Sequence, residues 1–290
     1  MKRAVFIIFL AFPAFAQRVT AIGMTVADAD RSAAFFHDVL QFEKISDEER
    51  AAEDVIFGGR TRVVAMRLGD ESIELTEWLT PKGKPIPDHA RSTDLTFQHI
   101  AIVVSDMDRA YARLREHHVE HVSTAPQRIP DSNKAAAGVR AFYFRDPDRH
   151  NLELISFPAD KGDPRWQKKD RLFLGIDHTA IGVSNTEASL LFYRNLLGLH
   201  VAGESWNSGT EQAHLNLVEN ASLHISGLRG SGGPGIEFLE YLSPPPRDRI
   251  SGNPNDIVYW QTTLVVPQLK LQHPLVVRDP DGHAIRLVPQ

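Results

Sequence analysis

The sequence predicts an α+β fold made of four tandem units, paired two and two, with the last unit cut short. Three observations predict it. Three segments share one pattern: "AIGMTVADADRSAAFFHDVLQFE" from Ala21, "HIAIVVSDMDRAYARLREHHVEHV" from His99 and "HTAIGVSNTEASLLFYRNLLGLHV" from His178. Self-similarity of this kind marks a repeat architecture. Longer matches lie above it, since "SIELTEWLTP" parallels "GIEFLEYLSP" and "FRDPDRHNLELI" parallels "VRDPDGHAIRLV". Finally, "NDIVYWQTTLVV" mirrors "TDLTFQHIAIVV" as the start of a fourth unit, but too little chain follows to complete it.

The chain opens MKRAVFIIFLAFPAFAQ. Lys2 and Arg3, an apolar run from Ala4 to Phe12 and the Ala14-Phe15-Ala16 cleavage site form a bacterial signal peptide over residues 1–16. The expected location is therefore secreted or periplasmic. No later segment approaches the roughly 18 apolar residues of a membrane helix. Of the 290 residues 42% are apolar and 24% charged, which describes a globular chain long enough for two domains. A net charge of −5 gives no reason to expect nucleic acid or an anionic membrane as partner. With no cysteine, there is neither a disulfide nor a thiolate nucleophile. Any metal must be held by His, Gln, Asp or Glu, a shell suited to zinc, nickel, manganese, iron or cobalt.

Each unit begins with an apolar strand that runs into a helix capped by Asp28, Asp106 or Asn185 at the same offset. Phe35, Phe36, Val39 and Leu40 give the first helix an apolar stripe, and Leu191, Phe192, Leu196 and Leu197 give the third its own. Both stripes are expected in the core. Strands follow: "TRVVAMRLG" and "SIELTEWL" in unit one, "VRAFYFRD" and "NLELISF" in unit two, "ASLHISGL" and "GIEFLEYL" in unit three. The polar stretch "PADKGDPRWQKKD" separates the pairs. The expected organisation is residues 17–158 for units one and two, a linker at 159–172, and 173–290 for units three and four. From Gln261 to Arg278 the fourth unit is 29 positions shorter than the second from His99 to Arg145. "VVPQLKLQHPLVV" cannot hold a helix and two further strands, so a two-strand remnant or small sheet edge is expected.

"FYRNLLGL" at Phe192 to Leu199, "RDPDGH" at Arg278 to His283 and the first-strand histidines, in four ordered units, resemble the βαβββ modules of the vicinal oxygen chelate superfamily. That superfamily includes glyoxalase I, bleomycin-resistance proteins, methylmalonyl-CoA epimerase and extradiol dioxygenases. The resemblance covers nearly the whole chain after the leader. It implies that two modules pair into a U-shaped cleft, where a divalent metal takes ligands from the first and last strands. The substrate's neighbouring oxygens would complete the shell. Carried over residue by residue, the first-strand positions are Ala21, His99, His178 and Gln261. The last-strand positions are Glu74, Glu153, Glu237 and Arg286. The first cleft, formed by units one and two, then holds His99, Glu74 and Glu153; the second, formed by units three and four, holds His178, Glu237 and Gln261, opposed by the Arg286 guanidinium.

The residue types suit the chemistry. Three protein ligands leave open positions for water and substrate. An open metal polarises a carbonyl, and a shell carboxylate, Glu74 or Glu153, could serve as base. The expectation is an exported metal-dependent enzyme of the glyoxalase (lyase or isomerase) or dioxygenase type, acting on a small vicinal-oxygen compound. The alternative is a non-catalytic protein of the bleomycin-resistance type that sequesters a small ligand in the clefts. An oligomer is compatible with either. Elsewhere, His117 and His121 read as solvated surface. "GLRGSGGPG" lacks the Lys-Ser/Thr of a phosphate loop. His214 and His224 line the second cleft or serve core or surface roles. Gln41 stands where the third unit has Gly198, at some cost in backbone strain.

Overall fold

In the computed structural model, residues 17–52, 58–250 and 252–290 are described. The expected leader, residues 1–16, lies outside them. No described helix is long and apolar enough to cross a membrane.

Unit one comprises β1 (Arg18–Val26), α1 (Ala29–Asp38), β2 (Glu43–Ala51), β3 (Arg60–Leu68) and β4 (Glu71–Thr80). Unit two follows with β5 (Phe97–Val104), α2 (Met107–Glu116), β6 (Gln127–Arg128), β7 (Arg140–Arg145) and β8 (Asn151–Ser156). Unit three has β9 (Phe173–Gly182), α3 (Thr186–Leu190) continued by a π-helical turn (Leu191–Leu196), β10 (His200–Ser208), α4 (Thr210–Asn216), β11 (Ser222–Arg229) and β12 (Gly235–Ser243). Unit four keeps β13 (Trp260–Val265), β14 (Leu275–Arg278) and β15 (Ala284–Val288). Asp28, Asp106 and Asn185 each accept a hydrogen bond from the backbone N–H three residues on, at Arg31, Arg109 and Ala188. Each thereby satisfies a helix N–H that would otherwise lack a partner.

The units do not pair as their sequence order suggests. One sheet runs β14-β15-β13-β1-β4-β3-β2, joining units one and four; the other runs β10-β11-β12-β9-β5-β8-β7-β6, joining units two and three. β1 pairs antiparallel with β13, and β5 with β9. Units one and two, neighbours in sequence, instead share a hydrophobic core. Phe36 of α1 and Leu40 just beyond it join Met107 and Leu114 of α2 there, together with Ile22, Ile100 and Phe142. Units three and four share another, built on Ile181, Tyr193, Phe238, Leu264 and Ile285. Within each half the two units thus pack through a shared core, while each sheet takes one unit from either half.

The Asp-Pro-Asp turns fasten this arrangement. Asp146 Oδ1 accepts from the backbone N–H of Asp148 and His150, and Asp279 Oδ1 does the same for Asp281 and His283. The second aspartate then reaches the neighbouring unit. Asp148 accepts from Ala27 N at 2.9 Å and pairs with Arg31, while Asp281 accepts from Ser184 N at 2.8 Å. The histidines reach further still, with His150 Nε2 2.8 Å from Ile257 O and His283 Nε2 2.8 Å from Gly182 O.

Three local expectations need revision. Leu191 and Leu196 are exposed, and the buried stripe of the third helix is Leu190, Tyr193 and Leu197. Tyr193 turns inward because its hydroxyl donates to Asp279 at 3.0 Å. The fourth unit carries three strands, because four residues before its Asp-Pro-Asp turn suffice to pair β14 with β15. A single 3₁₀ turn at Pro267–Leu269 stands in for the helix. His121 is half-buried, its ring set edge-on to Phe142. His117 is exposed as expected. At the first helix exit Gln41 adopts φ 63° where Gly198 has φ 80°, the left-handed backbone that glycine enters without cost.

His150 supplies a pH-dependent prediction. Burial alone would lower its pKa, but the Asp146 carboxylate 2.8 Å away outweighs burial and raises it above 6.5. A raised histidine stabilises the fold fully below its unfolded value and loses that contribution as pH climbs through the folded one. His150→Ala should cost about 3–5 kcal/mol near neutrality by leaving Asp146 buried and unpaired. In urea unfolding the gap from wild type should narrow toward alkaline pH. A gap that is constant with pH would contradict the charged pair.

Candidate metal centre

The pairing of β5 with β9 assembles the candidate site. Side chains two apart on a strand share a face. In this register His99 lies opposite Ala180 and Ala101 opposite His178, so the two histidines sit diagonally on one face. β8 runs parallel to β5 and places Glu153 beside Ala101, while β12 runs parallel to β9 and places Glu237 beside Ala180. A local two-fold relation therefore gathers four side chains from units two and three.

Their atoms converge. His99 Nε2 is 3.0 Å from Glu153 Oε2, and His178 Nε2 is 3.6 Å from the same oxygen and 3.5 Å from Glu237 Oε2. Ligand atoms of His99, His178 and Glu237 all lie within 4.8 Å of one another. Yet both Nε2 atoms are buried without a hydrogen-bond partner, so even the 3.0 Å approach is out of line for one. Atoms that each sit about 2.1 Å from a shared cation would be about 3.0–3.4 Å apart. The spacing and the orphaned nitrogens fit a metal ion, and a His/Glu donor set suits zinc or another first-row divalent metal.

Asp177 orients the set. Its Oδ2 lies 2.9 Å from His178 Nδ1 and accepts from Arg229 at 2.6 Å, while Oδ1 accepts from Trp166 Nε1 at 2.8 Å. An Nδ1–H held on a carboxylate leaves Nε2 with its lone pair facing the centre. Burial pushes the Asp177 carboxyl up, but His178, Arg229 and Trp166 more than offset it and hold it well below the usual range. Glu153 behaves alike: burial raises it, and His99 and His178 bring it down to about 2. Glu237 moves the other way, raised by burial and by Glu153, with His178 and His99 opposing. His178 is lowered by burial but lifted well above its ordinary value by Glu237, Asp177 and Glu153. Two carboxylates whose environments differ in this way are suited to different tasks.

A cavity of about 320 Å³ opens over the site, lined by Tyr143, Glu153, His178 and Glu237 on the floor. A larger one, about 460 Å³, lies among the connecting segments near Arg91 and Arg247 and contains none of the four side chains.

The expected first cleft of His99, Glu74 and Glu153 is not formed. Glu74 lies on β4 in the other sheet, beside Gly23, and Gln261 lies opposite the same glycine. Arg286 sits opposite Thr263, which faces Ala21. That cleft thus repeats the geometry with Ala21, Gln261, Glu74 and Arg286 where the β5–β9 sheet has His178, His99, Glu237 and Glu153. A β-carbon on Gly23 would stand 3.1 Å from Gln261 Cγ, so the glycine gives the glutamine room. The expected grouping of His178 and Glu237 with Gln261 fails for the same reason, since strand pairing follows β5–β9 and β1–β13. His214 is exposed, and His224 bonds Glu204 and stacks on Trp206, so neither joins the four. Asp177, Tyr143 and Arg229 were not anticipated. The visible signal for Asp177 was an acidic residue inside the otherwise apolar strand "FLGIDHTAIG".

Residues 18–154 and 175–287 match the model of the Glyoxalase/Bleomycin resistance protein/Dioxygenase superfamily. The chain belongs to this superfamily. This glyoxalase-superfamily protein is similar in fold to glyoxalase I from Zea mays. The two align with a TM-score of 0.65 over 94% of this chain and 92% of the maize enzyme, at 15% identity, a likeness of fold. A protein named 2-epi-5-epi-valiolone epimerase from Actinomyces sp is 32% identical over 154 residues, covering 50% of this chain and 81% of that protein. Members of the glyoxalase superfamily bind small-molecule substrates and commonly use a divalent metal.

Proposed function

We propose that this chain is an exported, divalent-metal-dependent enzyme that moves a proton at a carbon next to a carbonyl, in an isomerase, epimerase or lyase reaction. The observation that carries the reading is the pair of carboxylates, Glu153 and Glu237, set on opposite sides of two buried histidines whose Nε2 atoms lack partners. His99, His178, Glu153 and Glu237 would hold the metal, whose chemistry when bound is that of a Lewis acid toward two neighbouring substrate oxygens. Glu237 is the group that transfers the proton. Its side chain is 22% exposed against 6% for Glu153, so it is the carboxylate that a substrate carbon in the cavity can reach. The carboxylate takes the proton from carbon and the electron pair stays on the substrate; return of the proton to the same face restores the substrate, and delivery to the opposite face or to the neighbouring carbon gives the epimer or the isomer. The relative named as an epimerase supports the same class. Tyr143, whose phenol is held protonated by burial and by Glu153, closes the floor beside His99.

In D₂O the metal-loaded protein should wash deuterium into the carbon bearing the hydroxyl of 2-hydroxycyclohexanone or a related α-hydroxy ketone. Glu237→Gln should slow that exchange about 10²–10⁴-fold. Exchange that is unchanged in the variant, or absent from the wild type across such ketones, would refute the assignment. Export is checked separately, since chain recovered from the periplasm or medium should begin at Gln17; a retained Met1 would count against it.

A further inference from the structure

A short helix closes the cleft from the far side, and one of its side chains is unexplained by the fold. α4 belongs to unit three but packs against β6 and β7 of unit two. Its last carbonyls are gripped by that unit: Thr124 N donates to His214 O at 3.1 Å, Ser123 Oγ to Leu215 O at 2.5 Å and Ser92 Oγ to Asn216 O at 3.2 Å. Ser123 Oγ also accepts from Tyr143 N at 2.7 Å, so the helix is tied to the strand that carries the cavity floor. Asn216 Nδ2 donates to Tyr241 at 2.9 Å. The helix is therefore held rigidly, as a specificity element needs to be.

Gln212 sits on α4 and lines the cavity that contains Glu153, His178 and Glu237. It is 3% exposed, yet its Oε1 has no hydrogen-bond partner. A buried amide oxygen left unsatisfied is costly. Ile129, Val139, Leu215, Ile225 and Leu228 line the apolar part of the same wall, with Glu204, Ser205 and Asn207 along β10. The protein thus keeps a buried amide with an unsatisfied oxygen in the wall of the cavity that contains Glu153, His178 and Glu237.

We infer that Gln212 is a specificity-determining residue that binds a hydroxyl of the substrate remote from its chelating oxygens. The ligand class is a small α-hydroxy ketone that carries at least one further hydroxyl, of a size that a cavity of about 320 Å³ accommodates. A hydroxyl is the fitting partner because it can donate to the amide oxygen or accept from the amide nitrogen, whichever faces the cavity. The inference rests on the proposed function only for the end of the ligand that chelates.

Two cyclic ketones serve as probes: 2-keto-myo-inositol, which carries hydroxyls around the ring, and 2-hydroxycyclohexanone, which carries only the chelating pair. Their dissociation constants are measured calorimetrically for wild type and Gln212→Met, with zinc and with EDTA. Met fills nearly the same volume, and an unchanged far-ultraviolet spectrum and melting temperature show that α4 is intact; Gln212→Leu is the substitute should Met disturb it. The expected result is about tenfold weaker binding of the polyhydroxy ketone by the variant and no change for 2-hydroxycyclohexanone. Binding that needs zinc but ignores the substitution would overturn the role of Gln212 and leave the metal reading standing. Binding that survives EDTA but drops in the variant would do the reverse. Failure of the wild type to prefer the polyhydroxy ketone, or to bind either compound, would overturn the substrate class.

Discussion

The antiparallel pairing of β5 with β9 is the constraint on which the site depends. Its register alone sets His99 and His178 diagonally on one face. The parallel neighbours β8 and β12 then have no choice about where Glu153 and Glu237 fall. A slip of one residue would send the histidines to the opposite face. The register is held by burial, because every residue of β9 is buried, as are all but the first of β5. The small residues Ala101 and Ala180 leave the space between them for the larger ligand side chains.

The same rule explains why two similar sheets differ in chemistry. β1 and β13 pair in the equivalent register, and the positions are all present. Their occupants are not equivalent: Ala21 offers no ligand atom, and Arg286 brings a positive charge to where a cation would sit. Duplication supplied two frames, and substitution at two of four positions leaves one frame without a coherent donor set. Glu74 and Gln261 are thereby separated from the histidines they resemble in sequence.

Much of this was legible in the sequence. The common offset from Asp28, Asp106 and Asn185 located first-strand positions, and the matches of "SIELTEWLTP" with "GIEFLEYLSP" and of "FRDPDRHNLELI" with "VRDPDGHAIRLV" located the last-strand ones. The partnership of the units was not legible. Adjacent units with a polar linker between pairs suggest adjacent pairing, yet the sheets exchange partners between the halves. Hydrophobic periodicity says that a face is buried; it does not say against which sheet. What decides is the fit of whole cores, with α1 and α2 sharing one interior and the third helix packing into the other. Asp177 was hidden for another reason, since its role exists only once Trp166 and Arg229, from distant segments, close around it. Leu191 and Leu196 misled because the inward turn of Tyr193 toward Asp279 sets the helix's rotation.

The central claim is that one site, built across units two and three, holds the metal. Metal content after zinc reconstitution and gel filtration tests it most directly, on the wild type and on variants of each sheet. The account predicts about one equivalent per chain in the wild type, as a single His/Glu site requires. It predicts the same in Glu74→Gln with Gln261→Ala, and loss in either His99→Ala or His178→Ala. Loss of metal from the Glu74 and Gln261 variant, with retention in both histidine variants, would contradict it.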